Sequence, residues 1–214
     1  MVELIFLRYY LKLTTIVGIT REGNGFPVIY MLSKHETETE LRILFENFLS
    51  WNDIQVNVFM TDDFHIYSKL IGEYFPECIH LLCIWHIYRA WKRKIMKLYD
   101  RTESKKLFYK LMKIQRILDP VSFTDKFNAF LSETDAPLRD YLLKNYQNRT
   151  EKWAACFRKY MQINVNMYIE SMHRLLKRTY LRGNQIRQKI FINIYILKAK
   201  KTVDVIILYK NWLK

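Results

Sequence analysis

The 214-residue sequence lacks most of what would mark a secreted or membrane-spanning chain. It has three cysteines, Cys78, Cys83 and Cys156. So odd and sparse a set excludes a disulfide-stapled framework and fits a reducing compartment. No apolar run approaches the roughly 18 uncharged residues that a spanning helix needs, so membrane insertion is not expected. The opening run 1–7 is short, carries Glu3 and is followed by no small-residue cleavage site, unlike a secretion signal. There is no internal repeat and no low-complexity linker. Acids are scarce: 21 Asp and Glu stand against 35 Lys and Arg, for a net charge of +14 and a pI near 9.6. Such an excess of cations points to a polyanionic partner, nucleic acid or an anionic membrane surface.

Half of the residues are hydrophobic, enough for one α/β domain with an insertion. Residues 11–19 and 26–32 are rich in β-branched and apolar types. The turn cluster Arg21-Glu22-Gly23-Asn24-Gly25 lies between them, which predicts an antiparallel hairpin. From Thr37 the period changes. Leu41, Leu44, Phe45, Phe48 and Leu49 follow helical spacing, and Glu36, Glu38 and Glu40 crowd the first turn, where the helix dipole favours acids. A strand over 56–61, a short helix closed by Pro76, and a third apolar run over 79–84 follow. That run leads into a basic helix beginning near His86. Hairpin, helix, strand, helix, strand is the order of a mixed sheet with parallel crossovers, in which active groups gather at the carboxyl ends of strands. Beyond Trp91 the texture is helical: 105–118, 122–131, 138–146 and a long segment over 153–181, with Pro120 and Pro137 as breaks.

Three local patterns carry chemistry, and each has a plainer reading beside it. Asp62 follows an apolar strand, so its carboxylate projects from a rigid edge of the kind that holds Mg²⁺; the alternative is that Asp62 or Asp63 caps the next helix. Glu170 lies with Arg174 and Lys177 opposite a stripe of Tyr168, Met172, Leu175, Leu176 and Thr179; the alternative is an ordinary solvated face. Cys83-Ile84-Trp85-His86 joins a thiol to an imidazole at a strand-to-helix junction. Two ligands fall short of the four of a structural zinc site, and zinc is not expected. A nucleophilic Cys83–His86 pair would lack an orienting group and oxyanion donors. Bases interleave with aromatics over 86–94, including Arg89, Lys92 and Arg93, and again over 174–187, including Arg174, Lys177 and Arg178. Such surfaces suit phosphate contact and base stacking, and are also what any cationic amphipathic helix looks like.

Taken in order, the motifs resemble Mutator-like element (MULE) transposases. The matching stretches are Gly23-Asn24-Gly25-Phe26-Pro27-Val28 with Met31-Leu32-Ser33, then Phe59-Met60-Thr61-Asp62-Asp63, then 81–91 around Cys83-Ile84-Trp85-His86. They continue in Trp153-Ala154-Ala155-Cys156-Phe157-Arg158, Asn164-Val165-Asn166-Met167 and Glu170-Ser171-Met172-His173-Arg174. The resemblance covers about residues 11–185 and implies an RNase H-like α/β fold of the DDE type, with helices on the faces of a mixed sheet and an all-helical insertion. By that resemblance the sheet portion is 1–90, the insertion 91–160 and the helix bearing the last acid 161–185, before a divergent basic and apolar tail over 186–214.

The activity it implies is DNA transposition: hydrolysis and transfer of phosphodiesters with Mg²⁺ or Mn²⁺, using Asp62 as the second carboxylate and Glu170 as the third. Cys83 and His86 would be the C-x-x-H that such transposases carry between those acids. The first catalytic Asp of the pattern is expected at or just before Met1, and no Asp stands there. Glu3 is the nearest acid, on a run 2–7 that could serve as a replacement strand, but its register is off by about two residues. The expectation is therefore an incomplete, inactive transposase domain, nuclear and bound to DNA. It would have no membrane and no small-molecule substrate as partners, and a homo-oligomer is compatible with it. The alternative is a non-catalytic DNA-binding or interaction protein of the same descent.

Overall fold

The computed structural model describes residues 4–6, 11–20, 24–51, 55–158, 174 and 205–209. The chain divides into two compact units: Met1–Ile79 with Asn166–Lys214, and His80–Val165.

In the first unit the expected hairpin forms from β2 (Leu11–Ile19) and β3 (Gly25–Ser33). They pair antiparallel from Lys12↔Ser33 to Ile19↔Gly25, with a register shift between Ile16 and Val17. The Thr20 N–H donates to the Asn24 carbonyl at 2.9 Å, and the Asn24 N–H donates to Thr20 Oγ1 at 3.2 Å, drawing the strand ends together. A short β1 (Leu4–Phe6) pairs antiparallel with β2, within the run expected to supply a strand; Glu3 itself lies outside the described residues. The tail holds a strand that the sequence patterns did not announce. β6 (Val205–Tyr209) pairs antiparallel with β3, completing a sheet in the order β1-β2-β3-β6. Leu13, Thr14, Thr15 and Ile16 are consecutively buried, as are Ile29 to Ser33, so both faces of the hairpin are covered there.

Helix α1 (Glu38–Trp51) starts with a capping box. The Thr37 N–H donates to Glu40 Oε2 at 2.8 Å, and the Glu40 N–H returns to Thr37 Oγ1 at 3.4 Å. Leu41, Leu44, Phe45 and Phe48 are buried, and Phe45 meets Phe59 and Phe75 at centroid distances of 5.8 and 5.6 Å. Leu49, expected in the same stripe, is exposed, because it falls at the edge of that stripe, about 80° round the helix from Leu41 and beyond Phe45. After β4 (Val58–Thr61) comes α2 (His65–Tyr74), which ends before Pro76 as the sequence predicts. At the start of β5 (Ile79–Leu82), the Ile79 N–H donates to the Asn57 carbonyl at 2.9 Å.

The second unit is helical apart from its entry along β5: α3 (Ile84–Leu98), α4 (Arg101–Gln115), α5 (Pro120–Glu133) and α6 (Ala136–Asn145). Asp100 caps α4 by accepting from the Thr102 and Glu103 N–H groups, and Asp119 caps α5 by accepting from Ser122 N–H. The two prolines expected as breaks open helices instead, in the first turns of α5 and α6, where a missing N–H costs nothing. The core centres on Trp91 and Trp153, ring centroids 5.3 Å apart, with Phe123, Phe127 and Tyr146 around them.

A helix expected from Trp153 does not begin there. Two 3-10 turns, Gln147–Lys152 and Ala155–Phe157, flank Trp153, whose indole N–H is held by the Tyr146 carbonyl at 2.9 Å. Burying that ring and satisfying its one donor outweighs continuing a helix. Helices and small sheets together make the chain α/β, as expected, and the described pairings of the four-stranded sheet are all antiparallel.

Candidate nucleic-acid interface

The acid singled out in the first unit stands where the strand leaves the core. Thr61, the last residue of β4, is buried, and its hydroxyl donates to the Asp62 carbonyl at 2.8 Å. Asp62 is half-buried and Asp63 exposed. Helix α2 begins at His65 after Phe64, whose side chain makes no cap hydrogen bond. The Asp62 backbone carbonyl accepts from the Phe64 N–H at 2.9 Å in the turn that leads into the helix.

In the second unit the thiol and imidazole of the C-x-x-H come together. Cys83, fully buried, takes the extended conformation of the residue before α3, and His86 lies one turn in; a thiol sulfur and a ring nitrogen stand within 4.8 Å of each other. Cys78, Cys83 and Cys156 are all free thiols. The strand end just before Cys83 is fastened by Arg158, a residue that the sequence reading missed. Its Nη1 donates to the Leu82 carbonyl at 2.6 Å and to the Lys152 carbonyl at 3.3 Å. Burial lowers the pKa of this guanidinium to about 10, while the nearby Cys83 and Tyr88 push it the other way. Nothing in the sequence around Arg158 marks it as buried, since arginine is ordinarily a surface residue. His80 on β5 lies with Nδ1 3.3 Å from Lys152 Nζ. Burial first, and then the Lys152 charge, lower its pKa to about 3.

Helix α3 has two contrasting faces. Ile84, Ile87, Trp91 and Ile95 are buried, at the spacing of one helical stripe. On the opposite side Trp85, Arg89, Lys92, Arg93, Met96 and Lys97 are exposed. The helix holds five Lys and Arg and no acid, and none of the exposed cations forms an ion pair among the described residues. Arg89 lies over the Trp85 ring at 5.2 Å, and Lys94 over the Tyr141 ring at 5.3 Å. Placing the start of this helix near His86 left Trp85 out of the exposed stripe. Its spacing of four residues to Arg89 was the signal that could have included it.

Arg174 is helical and exposed; Glu3, Glu170, Lys177 and Arg178 lie outside the described residues. No helix among the described residues is long and apolar enough to cross a membrane.

Residues 7–90 match the family model of the MULE transposase domain. The resemblance drawn from the motifs is shown over that stretch, and the matched domain suggests a transposase-related function. The matched MULE segment runs from just before the hairpin to Ala90, within α3, so it contains Asp62, Cys83, His86 and Arg89. Lys92, Arg93, Glu170, Arg174, Lys177 and Arg178 fall beyond it. No curated protein matches the chain.

Proposed function

We propose that these 214 residues form a MULE-type transposase catalytic domain of RNase H-like architecture that binds DNA through α3 and does not cleave it unaided. The observation that carries the reading is the exposed, acid-free face of α3, whose exposed cations form no ion pair among the described residues. Arg89, Lys92 and Arg93 would neutralise phosphates, and Arg174, Lys177 and Arg178 are further basic residues that the sequence pattern offers for the same purpose. The RNase H-like assignment is supported by the run of hairpin, helix, strand, helix and strand, and by an acid at the carboxyl end of β4.

For the chemistry, Asp62 and Glu170 are the two carboxylates that match the family pattern. Asp62 offers the hard oxygen donor that Mg²⁺ or Mn²⁺ prefers, at the end of β4. Cys83 and His86 are softer donors and do not suit those ions. A bound divalent ion would activate the attacking oxygen and stabilise the leaving one. Asp62 would hold and orient such an ion, and Glu170 would share it. No aspartate precedes Asp53 in the sequence, so the pattern's first ligand is unfilled within these residues unless Glu3 serves. Two carboxylates leave an ion of demanding geometry loosely held, and cleavage should fail. A second reading, a non-catalytic interaction protein of the same descent acting in the nucleus, keeps the α3 face and drops the metal.

The test is a nicking and strand-transfer assay on supercoiled and linear DNA with Mg²⁺ and with Mn²⁺. We expect binding without nicking. Metal-dependent nicking that disappears in Asp62→Ala and in Glu170→Ala overturns the inactive reading.

A further inference from the structure

Trp85 stands apart from the other exposed apolar side chains because of its neighbours. A single exposed hydrophobic residue is ordinary. Trp85, however, lies in register with Arg89, Lys92 and Met96 on the outer face of α3, and 44% of it is exposed. The Arg89 guanidinium carbon lies 5.2 Å from its ring centroid, and His86 meets it edge-on at 4.7 Å. A flat, electron-rich ring braced by a cation, beside a row of exposed bases, offers both things that an unpaired nucleotide needs: a π-face for the base and positive charge for its phosphate. From Trp85 to Met96 the stripe runs about 16 Å along the helix, room for a short run of nucleotides. Duplex DNA gains only half of this. Its phosphates can use Arg89, Lys92 and Arg93, but its bases are stacked on one another and present only their edges in the grooves.

We propose that Trp85, backed by Arg89, is a stacking platform for an unpaired nucleobase, so that α3 takes single-stranded DNA in preference to duplex. This rests on α3 being the DNA-binding face. Arg89 has two roles in it, fixing the indole plane and meeting the adjoining phosphate, while Lys92, Arg93 and Lys97 follow the backbone. Because every base has a π-face, the site would take any sequence.

The experiment uses the full chain and fluorescence anisotropy with an oligothymidylate, a mixed-sequence single strand, and a duplex of the same length. Native protein should bind both single strands more tightly than the duplex. Trp85→Ala should weaken single-strand binding about tenfold or more while leaving duplex binding within about twofold. Trp85→Phe should recover most of the loss, and Met96→Ala, on the same face but without a ring, should cause none. A bromouracil-substituted strand should photo-cross-link to the peptide containing Trp85. Circular dichroism of each variant guards against misfolding, and the cross-link to native protein needs no variant at all. Equal affinity for duplex and single strand, unmoved by Trp85→Ala, overturns the stacking proposal while α3 remains a DNA-binding face. Binding that ignores neutralisation of Arg89, Lys92 and Arg93, or no binding to any of the probes, overturns both.

Discussion

On α1 and α2 of the first unit, both Lys/Arg side chains sit against carboxylates. Arg42 lies between Glu38 and Glu73, and Lys69 reaches Glu38 with both oxygens at 2.8 Å. On α3 of the second unit, five cations stand in one helix with no acid. Like charges one turn apart disfavour a helix, and here the burial of Ile84, Ile87, Trp91 and Ile95 offsets that repulsion. The difference separates two uses of charge. Paired charges join one helix to the next, whereas unpaired ones of a single sign leave a field directed outward, where only an external anion can meet it.

The largest effect should come from Arg158, the one buried Lys or Arg among the described residues. Arg158→Ala removes the donor to the Leu82 and Lys152 carbonyls and leaves a cavity where the side chain was buried. The same change relieves the desolvation that holds the guanidinium's pKa near 10. Weighing the two, a net loss of about 3 kcal/mol is expected by urea denaturation. Arg158→Lys should be intermediate, since one ammonium cannot reproduce the guanidinium fork. A loss below about 1 kcal/mol in Arg158→Ala would show that this cation, too, is directed outward rather than holding the strand end.

What the sequence revealed and what it hid follow the same physical division. Local patterns were legible: the hairpin on either side of its turn cluster, and the stripe of Leu41, Leu44, Phe45 and Phe48 on a helix opened by a crowd of acids. These rest on neighbours within a few residues. Two caps at Asp100 and Asp119 and the opening prolines of α5 and α6 are just as local, yet Pro120 and Pro137 were read as breaks. Proline ends one helix and begins the next with equal ease.

What needed distant partners was hidden. Arg158 meets Leu82 across 76 positions, β6 adds to β3 from the far end of the chain, and Trp153 is drawn into an aromatic cluster that halts a helix. Of the candidate site, the C-x-x-H pair came together as its spacing suggests, because positions i and i+3 share a helix face. That Phe64 and not Asp62 or Asp63 directly precedes α2 could be known only from where the helix starts.

The comparison between the units sharpens most directly on DNA. Replacing Arg89, Lys92 and Arg93 together by Gln should lower the slope of log affinity against log salt by up to about 3, near 0.9 per phosphate contact on duplex. Stability should stay within about 1 kcal/mol of native, because these exposed positions form no ion pair among the described residues and Arg89 loses only a solvent-facing contact with the Trp85 ring. An unchanged slope would mean that the excess charge of α3 meets no phosphate.

A smaller effect is expected at His80. Its imidazole holds a folded pKa near 3 against an ordinary value of 6.5, so between those values the unfolded chain takes up a proton that the folded chain refuses. Its contribution to stability is complete above about pH 6.5 and is lost as the pH falls toward 3. His80→Gln, which keeps a hydrogen-bonding group near Lys152, should flatten the pH dependence of unfolding in that window by about 1 kcal/mol per pH unit. Identical pH profiles for variant and native protein would remove His80 from the buried, uncharged set.

The smallest change should follow from breaking a paired cation. Arg42 is held charged by Glu73 first and Glu38 second, and the same contacts lower the pKa of both carboxylates. These groups face solvent, which screens them, so Arg42→Gln should lower the melting temperature only slightly, and the difference should vanish at high salt. It should also leave the salt slope of DNA binding where it was, although it removes one positive charge as surely as Arg89→Gln does. If the two substitutions lowered that slope equally, net charge alone would govern DNA binding. The pairing of charges on α1 and α2 and their isolation on α3 would then have no functional meaning.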